Sequence, residues 1–151
     1  MPVVRSTVQI NRRPEEVWAY LTDFGRHAEW SPKPWKMESL TEGPIRVGTK
    51  FRSTGYIPRD PNHVNDVEVT AMEPSRRLAF SSVEKGQVFK NEFRLTPQDG
   101  GTRVDRTLDM PKPTGAIGVV FPLIVAGVVK PGVQKGMNML KARLEQRSAS
   151  E

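Results

Sequence analysis

The sequence predicts an α+β domain in which a curved, seven-stranded antiparallel sheet wraps a long C-terminal helix. Three observations carry that prediction. Val133, Met137, Leu140 and Leu144 fall at i, i+4, i+7 and i+11, one face of a helix. Burying those four side chains is worth about 6–12 kcal/mol gross, and a domain this size keeps only about 5–15 kcal/mol net. Six strand-like segments also follow one another through the middle of the chain with short turns between them, the mark of an antiparallel meander. Finally, 151 residues suffice for one substantial core and are few for two domains. Residues 1–147 read as a single domain and 148–151 as a polar tail.

Taken in order, Val4, Ser6, Val8 and Ile10 alternate with Arg5, Thr7 and Gln9, a half-buried first strand. Asn11 offers a helix cap, Pro14 suits the first turn, and Glu15 and Glu16 complement the helix dipole. Val17, Trp18 and Leu21 are expected to form the buried face of this short helix. Asp23 can cap a second one, Phe24 to Glu29, which Ser31-Pro32 and Pro34 stop. The six strands are expected at Trp35–Leu40, Thr49–Ile57, Val64–Met72, Leu78–Val83, Gln87–Thr96 and Thr102–Met110. Turns such as Thr41-Glu42-Gly43-Pro44 and Pro97-Gln98-Asp99-Gly100-Gly101 separate them.

Met110 to Thr114 forms a stiff, proline-containing linker into the final helix. Its first part, Gly115–Val129, carries no charge but falls short of the ~18–20 residues needed to span a bilayer. Pro122 and three glycines interrupt it, so it reads as buried or partly interfacial. Pro131 removes a backbone donor and is expected to kink or break the helix near Lys130–Gly132.

Composition narrows the function. The chain has no cysteine, which excludes disulfides, zinc–thiolate sites and thiol redox switching and fits a cytoplasmic setting. The N-terminus alternates like a strand and has no apolar run of signal-peptide length. The net charge of +6 is dispersed among acids, without an aromatic-and-basic nucleic-acid motif, so no nucleic-acid partner is expected. His27 and His63 are far apart, and no His/Asp/Glu cluster has metal spacing; neither metal nor cofactor is expected.

Several short stretches carry a family resemblance: INRRPEEVWAYLTDFGRHAEW (Ile10–Trp30), GPIRVGTKF (Gly43–Phe51), MEPSRRLAF (Met72–Phe80), GGTRV (Gly100–Val104) and MLKARLE (Met139–Glu145). In this order and spacing the chain resembles the START, polyketide-cyclase and birch-pollen-allergen superfamily, the helix-grip fold. It resembles bacterial proteins of polyketide cyclase/dehydrase type. The resemblance implies an apolar cavity between sheet and helix, without fixing a function. The glycine-rich apolar stretch before the helix departs from the family pattern. In the family that region lies near the cavity mouth, so its greasiness points to ligand passage or membrane docking.

Strand alternation then assigns side chains to the concave face. Phe89, Asn91, Phe93 and Leu95 share one parity, and Val104, Arg106 and Leu108 share the last strand's. Phe51 brings Ser53 inward, Val67, Val69 and Ala71 line the next strand, and Leu78 and Phe80 bring Ser82. Met137 and Leu140 face them from the helix and complete the candidate ligand contacts. Lys90, Glu92, Arg94, Arg103, Asp105 and Asp109 point out.

Arg106 is the informative residue, because a buried unpaired cation is expensive. It needs a carboxylate, water, or a ligand with an anionic or carbonyl group. The alternative is a bulge that turns it to solvent. Trp30, Trp35 and Tyr56 could frame the mouth, with Trp30 also suited to plugging the core. Ser53, His63 and Asp66 could form a nucleophilic set, but nothing in the sequence orients them towards one another.

Three readings follow. The first is binding of a small hydrophobic molecule, a lipid or polyketide-like aromatic. The second is a cyclase or dehydratase acting on a polyketide-like substrate, and the third a module for peripheral membrane or protein contact.

Overall fold

Seven strands form one antiparallel sheet: Val3–Ile10 (β1), Trp35–Ser39 (β2), Lys50–Ile57 (β3), Asp60–Glu73 (β4), Arg77–Glu84 (β5), Gln87–Gln98 (β6) and Gly101–Asp109 (β7). In this computed structural model the described residues are 3–30, 35–57, 60–84 and 86–146, with backbone alone at 28, 35, 55–57, 60–63 and 84. The strand order is β1-β7-β6-β5-β4-β3-β2, so β2 to β7 are a meander and β1 closes against the last strand. Helix α1 (Pro14–Leu21) and a 3-10 helix (Phe24–Trp30) connect β1 to β2. After β7 come α2 (Ala116–Ile124), a π turn (Val125–Val129) and α3 (Lys130–Gln146), one continuous helix of 31 residues.

The α3 face is the core. Val133, Met137, Leu140 and Leu144 are all buried, together with Gly136. Met137, Leu140 and Leu144 meet Val8, Ile10, Phe93, Leu95 and Val104 from the sheet and Val17, Leu21 and Phe24 from the first helices. Seams at the ends fix the helix against β1: Lys141 Nζ donates to the Gln9 carbonyl, and the Asn11 amide donates to Glu145 Oε2 at 2.8 Å. Where β7 begins, Gly101 lies so close to β1 that a Cβ there would stand 2.3 Å from the Ile10 carbonyl oxygen. No side chain fits at that position without moving backbone.

The structure departs from the sequence reading in four places. Asn11 does not cap α1: with Pro14 as the first helical residue the N-cap position falls at Arg13, which makes no side-chain cap bond. Tyr20, rather than Trp18, is buried beside Val17 and Leu21. The register between β4 and β5 shifts between Val69 and Ala71. That bulge reverses parity, so Met72 faces Leu78 inward while Ala71 pairs with Ala79 on the outer face. Pro131 does not break the helix: the turn before it widens, with the Lys130 amide bonding to the Val125 carbonyl five residues back. A π turn gives the proline ring room where an α turn would crowd the carbonyl four residues earlier.

The Gly115–Val129 segment, which reads from the sequence as buried or partly interfacial, is buried on one side only. Gly118 is buried, and a Cβ there would meet the Pro113 carbonyl oxygen at 2.4 Å, so the linker lies directly against α2. Phe121, Val125 and Val129 are half-buried against Val4, Met110 and Val133. The rest of that segment faces outward, because the sheet covers only one side of it.

Candidate functional site

Two apolar clusters fill the concave side. The larger is tightly packed and contains eight of the expected contact residues: Phe51, Val67, Val69, Phe80, Phe93, Val104, Met137 and Leu140. The smaller gathers Val4, Met110 and Val133 with Phe89, Leu108, Phe121, Val125 and Val129. In it the last five side chains are only half-buried. The larger cluster is thus a packed core, and the smaller one keeps apolar surface available under α2.

Polar groups mark the boundary between them. Arg106 faces inward from β7, where it pairs with Ser6 on one side and Phe93 on the other. Its Nη2 donates to Asn91 Oδ1 at 3.0 Å, and Asn91 is itself buried. The guanidinium carbon lies 5.2 Å from the Phe93 ring centroid and 5.8 Å from that of Trp30, within cation–π range of both. Ser6 Oγ and Gln134 Oε1 close the α3 side with a 2.6 Å hydrogen bond.

This corner is rich in donors. Among the described residues Arg106 has no carboxylate partner, and its Nε and the Trp30 Nε1 are buried without an acceptor. Part of the Arg106 side chain remains solvent-accessible, yet protein surrounds the guanidinium closely enough that desolvation lowers its pKa to about 10. It is still a cation at neutral pH. An acceptor such as a carbonyl, carboxylate or phenolate oxygen is the complementary group.

His27 stands behind this corner. It is buried, stacks on Phe24 at 4.3 Å between centroids, and tilts against Trp30 at 4.9 Å. Its Nε2 lies 2.7 Å from the Leu21 carbonyl oxygen, a bond that requires the proton on Nε2. Burial lowers its pKa to about 4, the Leu21 bond opposes that shift, and the charge of Arg106 adds to it. The ring is therefore neutral at pH 7 and serves as a wall behind Trp30.

Ser53 is buried on the concave side of β3. Asp66 faces the opposite side, where its carboxylate is 3.5 Å from Arg52. The two cannot belong to one nucleophilic set. The side chains of Trp35, Tyr56 and His63 lie outside the described residues. Lys90, Arg94 and Arg103 are exposed and Glu92, Asp105 and Asp109 half-exposed, on the outer face as expected. A cavity of about 480 Å³ is lined mainly by outer-face residues, Arg77, Ala79, Ser81, Lys90, Glu92 and Thr107 among them, and also by Phe80 and Asn91. Arg106 does not line it. Among the described residues no group of three or more His, Cys, Asp or Glu could hold a metal ion.

Sequence reasoning missed two parts of this arrangement. Phe121, Val125 and Val129 form the wall opposite Phe89 and Leu108, whereas Met137 and Leu140 are core. Trp30 supplies a donor as well as a plug.

Comparison with known proteins identifies the family and the fold. A family model described as polyketide cyclase/dehydrase and lipid transport matches residues 1–145. No curated protein matches. Among solved structures the chain is similar to the Zhui aromatase/cyclase of a Streptomyces species (R1128), with a TM-score of 0.77 and 19% identity over 99% of this chain and 97% of that one. A Thermus thermophilus protein gives a TM-score of 0.74 at 19% identity, covering 95% and 97%. A Mesorhizobium loti protein gives 0.71 at 22% identity, covering 97% and 99%. At these identities the likeness is one of fold, the helix-grip arrangement.

Proposed function

Because the chain belongs to the polyketide cyclase/dehydrase and lipid transport family, we propose that it binds a small hydrophobic molecule bearing one acceptor oxygen. The apolar body lies against the half-buried Phe89, Leu108, Phe121 and Val125, and the oxygen meets Arg106. One observation carries this reading: a guanidinium packed between Phe93 and Trp30 with a single neutral acceptor, Asn91, among the described residues. Burying a cation so sparsely paired costs stability. A ligand that completes its hydrogen bonds recovers part of that cost on binding.

Arg106→Met tests it. Methionine keeps much of the aliphatic stem and removes the charge, so the ligand-free protein is expected to be as stable as the parent or more so. Binding of an aromatic carboxylate or ketone should weaken by about 1.5–3 kcal/mol, the range for a charged hydrogen bond. A headless hydrocarbon of the same size should bind equally well or better. Calorimetric titration of both ligand types reads the difference, and equal weakening of the two would refute the head-group role.

A second reading is an enzyme in which the same guanidinium polarises a substrate carbonyl. The Zhui structure, an aromatase/cyclase on the same fold, favours it. Here the pocket would contribute orientation and charge stabilisation, since no carboxylate shares the inner corner among the described residues. Arg106→Leu should then abolish turnover while an apolar ligand still binds.

A further inference from the structure

The outward face of α2 and the π turn is strongly apolar. Ile117, Val119, Val120, Leu123, Ile124 and Val128 are exposed there, Val119 to 81% and Leu123 to 75%. An 18-residue window within Ala116–Gln146 has a mean hydropathy of 2.0, and only 11% of it is buried. A core helix of that hydropathy would be largely covered. This one is covered on a single side, by the linker at Gly118 and by the contacts of Phe121, Val125 and Val129.

Charge shows what fits the other side. From Met110 to Leu144 the chain has no Asp or Glu, but carries Lys112, Lys130, Lys135, Lys141 and Arg143. Lys112 and Lys130 are exposed and stand just outside the two ends of the apolar segment. A second copy of the chain seated on this face would bring Lys112 and Lys130 of both copies to an apolar segment that carries no acid. A surface of anionic headgroups over hydrocarbon complements both features at once.

Geometry limits how deep the segment goes. The residues from Ala116 to Val129 extend about 20 Å, against a hydrocarbon core of about 30 Å. The continuation into α3 is held under the sheet by Val133, Met137, Leu140 and Leu144, so it cannot follow into a bilayer. We propose that the outer face of α2 and the π turn docks on an anionic membrane surface, lying in the interface with Leu123 and Val119 inserted and Lys112 and Lys130 among the headgroups. The inner face of the same segment forms the wall of the smaller cluster, so docking sets that wall at the membrane surface.

Co-sedimentation with vesicles of phosphatidylcholine, with and without phosphatidylglycerol, tests the proposal. Binding is expected to the anionic vesicles, weaker at high salt. Lys112→Gln with Lys130→Gln should reduce it about 25-fold, at about five-fold per charge. Val119→Ser with Leu123→Ser should reduce it about 100-fold or more, since two apolar side chains lose their burial. None of these side chains packs in either cluster, and unchanged circular dichroism and thermal unfolding would confirm intact folding. Arg106→Met should bind vesicles like the parent, which separates this proposal from the ligand reading. Absence of binding at any ionic strength overturns it, as does equal binding to vesicles without phosphatidylglycerol. So does a dimer in vesicle-free buffer that Leu123→Ser abolishes, which would assign the face to self-association.

Discussion

Leu140→Ala is expected to destabilise the domain by about 2–5 kcal/mol, the range for truncating a fully buried leucine. Leu140 has no exposed surface and packs in the larger cluster between Met137 and Leu144 on α3 and the strands opposite. The size of the loss depends on how far the surroundings can collapse into the space left behind. Here they are constrained: the sheet is a continuous ladder of seven strands, and Lys141 and Glu145 tie α3 to the end of β1. Little relaxation is available, so the effect should lie in the upper part of that range. Urea unfolding monitored by tryptophan fluorescence measures it. A loss under about 1 kcal/mol, the level of a surface substitution, would show that this helix face is not the centre of the core.

The second large effect is in acid. Lowering the pH from 7 to 5 should cost the native state about 2 kcal/mol through His27 alone. The folded pKa is depressed from 6.5 to about 4 by burial, only partly opposed by the Leu21 bond, with Arg106 adding to the depression. Between those values the unfolded chain binds a proton that the folded chain does not. Stability is therefore fully present above about pH 6.5, is lost as the pH falls through the window, and stops changing once both states are protonated. The whole window is worth about 3 kcal/mol. Two carboxylates with lowered pKa respond at more acid pH and leave the upper half of the window to the imidazole. They are Glu92, where burial pulls upward but the bonds from Arg94 and Arg77 prevail, and Glu145, held down first by its bond from Lys141. Denaturant unfolding at pH 7 and pH 5 should show the drop in the parent and a much flatter response in His27→Gln. An equal slope in both would place the acid sensitivity elsewhere.

The parts of the molecule legible in the sequence are those where apolar and polar residues contrast. β1, β6 and β7 alternate cleanly, so the inward placement of Phe93, Val104 and Arg106 could be read from parity alone. The same logic failed at Ala71, because a bulge leaves no mark in the alternation until cross-strand partners are known. The α3 stripe was legible because Gln134, Lys135, Asn138 and Lys141 separate its apolar positions. The wall formed by Phe121, Val125 and Val129 was not, because nearly every neighbour is apolar too and no period stands out. Trp30 as an unsatisfied donor was hidden for a different reason: what surrounds its Nε1 depends on strands far away in the chain. Helix capping by Asn11 failed by position: the helix begins only at Pro14, two residues past the reach of an Asn11 cap.

The π turn at Val125–Val129 sets the phase of everything before it. Phe121, Val125, Val129 and Val133 recur every four residues. An ideal α-helix would carry each step about 40° further round, leaving Phe121 about 120° away from Val133. One wide turn absorbs much of that drift and keeps the row aimed at the sheet. The wide turn thus acts as a spacer that takes up one residue without rotating the helix. Deleting a single residue between Val125 and Val129 would restore α spacing and leave the outward face of α2 nearly where it is, because a wide turn of five residues and an α turn of four sweep almost the same angle. Forcing α geometry on the segment at its present length would instead carry Phe121 away from the sheet while Met137, Leu140 and Leu144 kept their places.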